Sequence, residues 1–168
     1  MSRGTSWSIK DEKALARLIA HVALGQSRKI AHVLTELDEK PKNAPSSSFK
    51  GARKLLKAKT QDDIYHRDGW MFQIISWIAA HIENPDRIIR TPHMIWADKG
   101  LDGLIVEMNG DETTAIVICE EKATKNTRKT IREKVWPEFA DFETGARDNE
   151  LVAAVTTLLE RHHDLDCD

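Results

Sequence analysis

Residues 101–124, LDGLIVEMNGDETTAIVICEEKAT, limit what this chain can fold into more than any other stretch. Two apolar runs, 104–106 and 115–119, flank Asn109-Gly110-Asp111, the strongest hairpin signal in the sequence. Asp102 precedes the first run, and Glu120-Glu121-Lys122 follows the second at once. A hairpin brings those two ends together, so an apolar strand pair delivers carboxylates and an ammonium to one edge of a sheet. Charge at the end of a buried strand needs partners or a metal.

Side chains alternate along a strand, so Glu120 and Lys122 share a face and Glu121 takes the other. Two carboxylates held close repel each other, and a hard divalent cation relieves the repulsion. Mg2+ takes oxygen ligands and keeps several waters, so one or two carboxylates suffice where phosphate supplies the rest. Such a metal acidifies a water and neutralises charge building on a phosphodiester. A lysine beside it holds the water or the phosphate as a point charge.

At these residues the chain resembles the PD-(D/E)XK nuclease superfamily, the restriction-endonuclease-like fold. The family pattern is an Asp on one core strand and Glu-x-Lys on the next, and Asp102, Glu120 and Lys122 match it. The resemblance spans about residues 62–142, from helix through hairpin to helix. It implies that Asp102, Glu120 and the backbone carbonyl of Glu121 bind Mg2+ or Mn2+, and that Lys122 serves the nucleophilic water. Members often add a Glu from the first core helix; this chain offers Gln73 mid-helix and Glu83 at the end, neither a clear match. Asp98 is a second-choice acid. Leu101 stands where the family name has Pro, and nothing after Val135 reads as the fourth strand that usually closes the fold. The missing final strand and the lack of a clear helix Glu favour the alternative, a non-catalytic module on a nuclease-like fold that binds nucleic acid or a protein.

The hairpin register decides whether the three residues can meet. A two-residue Asn109-Gly110 turn makes paired residue numbers sum to 219 and puts Asp102 on the face opposite Glu120. A three-residue loop gives 220 and sets Asp102 diagonal to Glu120; a five-residue loop gives 222 and sets them directly across. The site therefore requires an odd loop or a bulge, such as one at Gly103. The three-residue loop is the expected form, because Gly110 or Asn109 can take the left-handed conformation it needs.

The rest of the chain supplies the setting. Length, at 168 residues, allows a real core, and 40% hydrophobic with 31% charged residues describes a soluble globular protein. No apolar run approaches a membrane span, and the N-terminus has no signal-peptide core. Cys119 and Cys167 make no disulfide framework, which suits the cytoplasm. A net charge of -2 leaves nucleic-acid binding to local patches.

Ser8, with Asp11 at the capping-box position, starts a helix whose apolar residues recur from Ala14 to Ala23. After Gly25 the pattern resumes over 30–37. This N-terminal stripe needs the core, another copy or a partner protein to cover it. Residues 41–48, PKNAPSSS, read as a linker, followed by a basic helix over 49–59. Residues 60–82 read as a long central helix, started by Thr60 and Asp63 and ended by Asn84-Pro85.

A short strand over 87–90, extended over 93–97, precedes a turn at 98–100. Beyond the hairpin, Asn126 or Thr127 caps a helix carrying Arg128, Lys129 and Arg132, which with Lys125 form a basic patch beside the expected metal site. Pro137 ends or kinks that helix, Thr144-Gly145 breaks the chain, and Asp148 opens a last helix. The expectation is an α+β or α/β fold: a small mixed sheet centred on the hairpin and flanked by helices. It divides into a helical module at 1–40, a linker and basic helix at 41–59, and a nuclease-like domain at 60–168. The expected substrate is nucleic acid, DNA foremost.

Overall fold

A computed structural model describes residues 8–26, 46–96 and 100–163. In chain order these form α1 (Glu12–Ala23), α2 (Ser46–Leu56), α3 (Gln61–Glu83), β1 (Ile88–Ile89), β2 (Gly103–Asn109) and β3 (Glu112–Cys119). There follow α4 (Thr127–Thr130), a π turn (Ile131–Val135), α5 (Trp136–Glu143) and α6 (Asp148–His163). The strands make one sheet in the order β1-β2-β3, antiparallel at both pairings. The architecture is α+β, and the sheet, expected to be mixed, contains no parallel pair among the described residues. No described helix is long and apolar enough to cross a membrane.

Helix α3 is the central support. Thr60 Oγ1 accepts from the Asp63 N–H at 3.1 Å, and Asp63 Oδ2 accepts from the Thr60 N–H at 3.1 Å and the Lys59 N–H at 2.9 Å. This reciprocal cap satisfies donors that the first helical turn leaves free. The helix buries Trp70, Ile74, Trp77 and Ile78, which join Ile19, Val22 and Ala23 of α1 and Ala52 of α2 in one core. The stripe of α1 thus finds its cover on α2 and α3. Asp11, rather than Ser8, caps α1, accepting from the Ala14 N–H at 2.9 Å. The helix begins at Glu12, so only the residue directly before it can reach that first turn.

Two expectations change between 41 and 97. Helix α2 begins at Ser46, inside the expected linker. The segment 30–37 and the turn residues Asp98 and Lys99 lie outside the described residues. Strand β1 does not continue over 93–96. Pro92 has no N–H to give a ladder, and the chain turns away to the helices. There Trp70 Nε1 donates to the His93 carbonyl at 2.6 Å and Trp96 Nε1 to the Leu55 carbonyl at 3.1 Å.

Pro137 neither ends nor sharply breaks its helix. A proline ring clashes with the carbonyl four residues back, and widening the preceding turn relieves the clash. The Trp136 N–H accordingly donates five residues back, to the Ile131 carbonyl. Gly145, at φ +77°, turns the chain into α6, and no fourth strand follows among the described residues.

The hairpin turns on two residues, Gly110 (φ +59°) and Asp111, with Asn109 paired to Glu112 and Met108 to Thr113. The register then shifts between Glu107 and Met108: Glu107 faces Ala115, which leaves Thr114 as an extra residue. The Thr114 hydroxyl donates to the Glu107 carbonyl at 3.1 Å, tying the bulge to the opposite strand. Beyond it the pairs sum to 222, with Leu104 on Ile118 and Gly103 on Cys119, so the next pair outward is Asp102 and Glu120. That is the register expected of a five-residue loop, reached instead by a two-residue turn and a bulge near it. Neither the three-residue loop nor a bulge at Gly103 occurs.

Candidate active site

Alternation fixes what each face of the hairpin holds. Leu104 and Val106 are fully buried on one side, and Asp102 continues that side. There Gln73 Nε2 donates to Asp102 Oδ1 at 2.6 Å. The other oxygen, Oδ2, accepts from the Glu121 N–H at 3.2 Å and lies 3.5 Å from Lys122 Nζ. Lys122 Nζ also contacts Glu120 Oε1 directly. Asp102, Glu120, Lys122 and Gln73 therefore form one cluster at the open end of the hairpin. Glu83 lies ten residues further along α3, about 15 Å of helix away.

The backbone leading into Asp102 is clamped. The Leu101 carbonyl accepts from Arg90 Nη1 at 3.4 Å and stands 3.1 Å from His93 Nε2. Leu101 itself is only 1% exposed. The strand and segment before the hairpin thus hold the carboxylate in place from behind.

The cluster is poor in solvent. The side chain of Glu120 is 7% exposed and that of Asp102 13%, against 31% for Lys122. Burial, reinforced by the neighbouring Asp102, holds the Glu120 carboxyl above the usual carboxylate range, and Lys122 opposes the shift. Lys122 is held protonated above its ordinary value: burial alone would lower it, but contact with Glu120 and the charge of Asp102 outweigh that. Two carboxylates thus share one ammonium.

Glu121 takes the opposite face, as alternation requires, yet its side chain is not in open solvent. It lies over Gly103, where an added Cβ would come within 2.9 Å of both Glu121 Oε1 and Cys119 Cβ. Its Oε2 is buried with no hydrogen-bond partner among the described residues. Burial, then the charge of Asp102, pushes this carboxyl up to about 7. The Cys119 thiol beside it is pushed up to about 11, first by burial and then by Glu121, so it stays a thiol at neutral pH. The main-chain contact from Glu121 into the cluster is through its N–H; the expected role of its carbonyl rests on the family resemblance.

Two site neighbours carried no signal in the sequence. Glu138 of α5 reaches within 3.8 Å of Lys122 Nζ. Arg147 feels Glu138 and Glu120, although its main partner is Glu150, bound through two hydrogen bonds of 2.8 Å. Both arrive through the helical return after the hairpin, which sequence spacing does not place. The expected patch residues Lys125, Arg128, Lys129 and Arg132 are all exposed on the segment leading away from the cluster. Arg132 and Lys129 share Glu133 at 3.2 and 3.9 Å. Asp98 lies outside the described residues.

The donors that the cluster offers a metal are the carboxylates of Asp102 and Glu120, both hard. Among the described residues no group of three or more His, Cys, Asp or Glu stands close enough to hold an ion. Mg2+ and Mn2+ need no such group when water and phosphate complete their shell. The ammonium bridging Asp102 and Glu120 marks where the carboxylates call for positive charge, so the residues fit a divalent cation in chemistry and in charge. Compared with known protein families, with curated proteins and with solved structures, the chain finds no match.

Proposed function

We propose that the chain is a divalent-metal-dependent nuclease with a restriction-endonuclease-like core, hydrolysing phosphodiester bonds in nucleic acid, DNA foremost. The observation that carries this reading is the register set by the Thr114 bulge, which puts Asp102 across from Glu120 on the face that also bears Lys122. A structural strand end has no need of that coincidence. Gln73 orients one oxygen of Asp102 and leaves the other toward Lys122.

Bound at Asp102 and Glu120, Mg2+ or Mn2+ would neutralise phosphate charge and acidify a water. Lys122, which contacts both carboxylates, would hold the attacking water or a phosphate oxygen by its N–H donors. The buried setting strengthens each of these charge interactions over its value in water. The exposed basic residues 125–132 give a polyanion its approach. The free, half-buried Cys119 suits a reducing compartment, and we place the activity in the cytoplasm.

One observation favours a second reading. The Lys122 ammonium already bridges both carboxylates, and a self-satisfied ion cluster can serve as structure in a binding module without catalysis. The deciding assay is cleavage of plasmid, linear duplex, single-stranded DNA and RNA with Mg2+, Mn2+ or EDTA, run beside Lys122→Ala. Metal-dependent cleavage reduced at least about a hundredfold by Lys122→Ala supports the nuclease. Nucleic-acid binding with no cleavage under any condition supports the binding module.

A further inference from the structure

The helical segment 127–143 has one face that the carboxylate cluster does not use. Trp136 is 55% exposed, edge-on to Phe139 with ring centroids 6.2 Å apart. An indole normally buries most of its large surface. This one stands at the end of a strongly basic run: residues 122–134 hold six Lys or Arg against one acid, in a chain whose net charge is -2.

The π turn aligns these side chains. In an uninterrupted α-helix each four-residue step advances about 40° around the axis, which would set Trp136 about 80° from Arg128. The wider turn at Ile131–Val135 takes up that advance. Arg128, Arg132 and Trp136 then fall in one line along the helix, about 6 Å apart per step, and all three are exposed. Glu138, two residues beyond Trp136, falls on the other side and meets Lys122. One face of the segment closes the cluster; the other offers two guanidinium groups and an indole to solvent.

We propose that the stripe Arg128, Arg132 and Trp136 binds single-stranded nucleic acid, with the arginines on phosphates and the indole stacked on an unpaired base. The charge of the segment selects a polyanion. The indole selects the unpaired state, because bases within a duplex are already stacked on one another and expose no ring face. The inference rests on the nuclease reading only for the class of ligand.

The test is fluorescence anisotropy of the full chain with labelled oligothymidylate and with a duplex of equal length, in EDTA, alongside tryptophan emission. The stripe predicts tighter binding of the single strand, quenching of emission on binding, and about tenfold weaker single-strand binding in Trp136→Ala, largely restored in Trp136→Phe. Arg128→Ala and Arg132→Ala should each lower the slope of log affinity against log salt by about 0.7. Equal affinity for duplex and single strand, or single-strand binding untouched by Trp136→Ala, overturns the stripe, and a protein partner for the indole then takes its place. The two proposals separate cleanly. Cleavage with a silent Trp136→Ala overturns the stripe and leaves the nuclease; Trp136-dependent binding without cleavage upholds the stripe and overturns the nuclease.

Discussion

Two residues at the hairpin end show how little room the site leaves. Gly103 is required by close approach, since any Cβ would press on Cys119 Cβ and Glu121 Oε1 at 2.9 Å. Gly103→Ala should therefore destabilise the protein by about 1–3 kcal/mol, measured by urea unfolding. Glu121 is a buried carboxyl without a partner for Oε2, raised from 4.5 to about 7. A carboxyl whose folded pKa lies above its unfolded value binds its proton more tightly when folded. Its contribution is complete below the unfolded value and is lost as pH rises through the folded one. Stability of the metal-free protein should thus fall between about pH 4.5 and 7, and Glu121→Gln should flatten that fall and raise stability at pH 8. Glu121→Ala should leave metal-dependent cleavage largely intact, in contrast to Asp102→Ala, Glu120→Ala and Lys122→Ala. Equal damage from all four would show that the far-face carboxylate belongs to the chemistry.

Within the elements, the decisive feature is the bulge. Strand β2 is locked by Leu104 and Val106 against the core, while β3 carries apolar residues on both faces, with Ile116 and Val117 exposed at 42% and 37%. A one-residue slip of β3 is therefore cheap, and only Thr114 sets the phase that brings Glu120 to Asp102. Inserting one alanine between Cys119 and Glu120 should preserve the helical signal in circular dichroism and abolish cleavage, because Gly103 still pairs with Cys119 while Glu120 and Lys122 then face away from Asp102. Full activity in that insertion would mean that the pairing does not create the site. The hairpin, the long helix with its Thr60 cap and the face shared by Glu120 and Lys122 were legible in the sequence, since each follows from local spacing. The bulge was not: Thr113 and Thr114 are ordinary strand residues, and which of them is extra depends on the partner strand. The widened turn at 131–135 was also hidden, although Pro137 marked its place, because relief of the proline clash can take several forms. Contacts such as Lys122 to Glu138 depend on how the later helices fold back, which no periodicity encodes.

At the scale of the whole molecule, α1, α2 and α3 share one core, and the sheet meets that core through Ile89 of β1. Ile74, fully buried in that core, is the natural probe: Ile74→Ala should cost about 2–5 kcal/mol, and hairpin and helices should lose structure in one transition. Separate transitions would mean that the N-terminal helices fold as their own unit. The same α3 carries Gln73 to Asp102, so core and site are linked through one helix. The central claim is that Asp102 and Glu120 form a divalent-metal site in which Lys122 holds the cation's place. Calorimetric titration with Mn2+ tests it most directly, on the parent chain and on Asp102→Asn, Glu120→Gln and Lys122→Ala. The account predicts one Mn2+ per chain, binding lost in the two carboxylate variants, and binding kept or tightened in Lys122→Ala even as that variant loses cleavage. No Mn2+ binding by the parent chain, or binding that Asp102→Asn and Glu120→Gln leave unchanged, would contradict it.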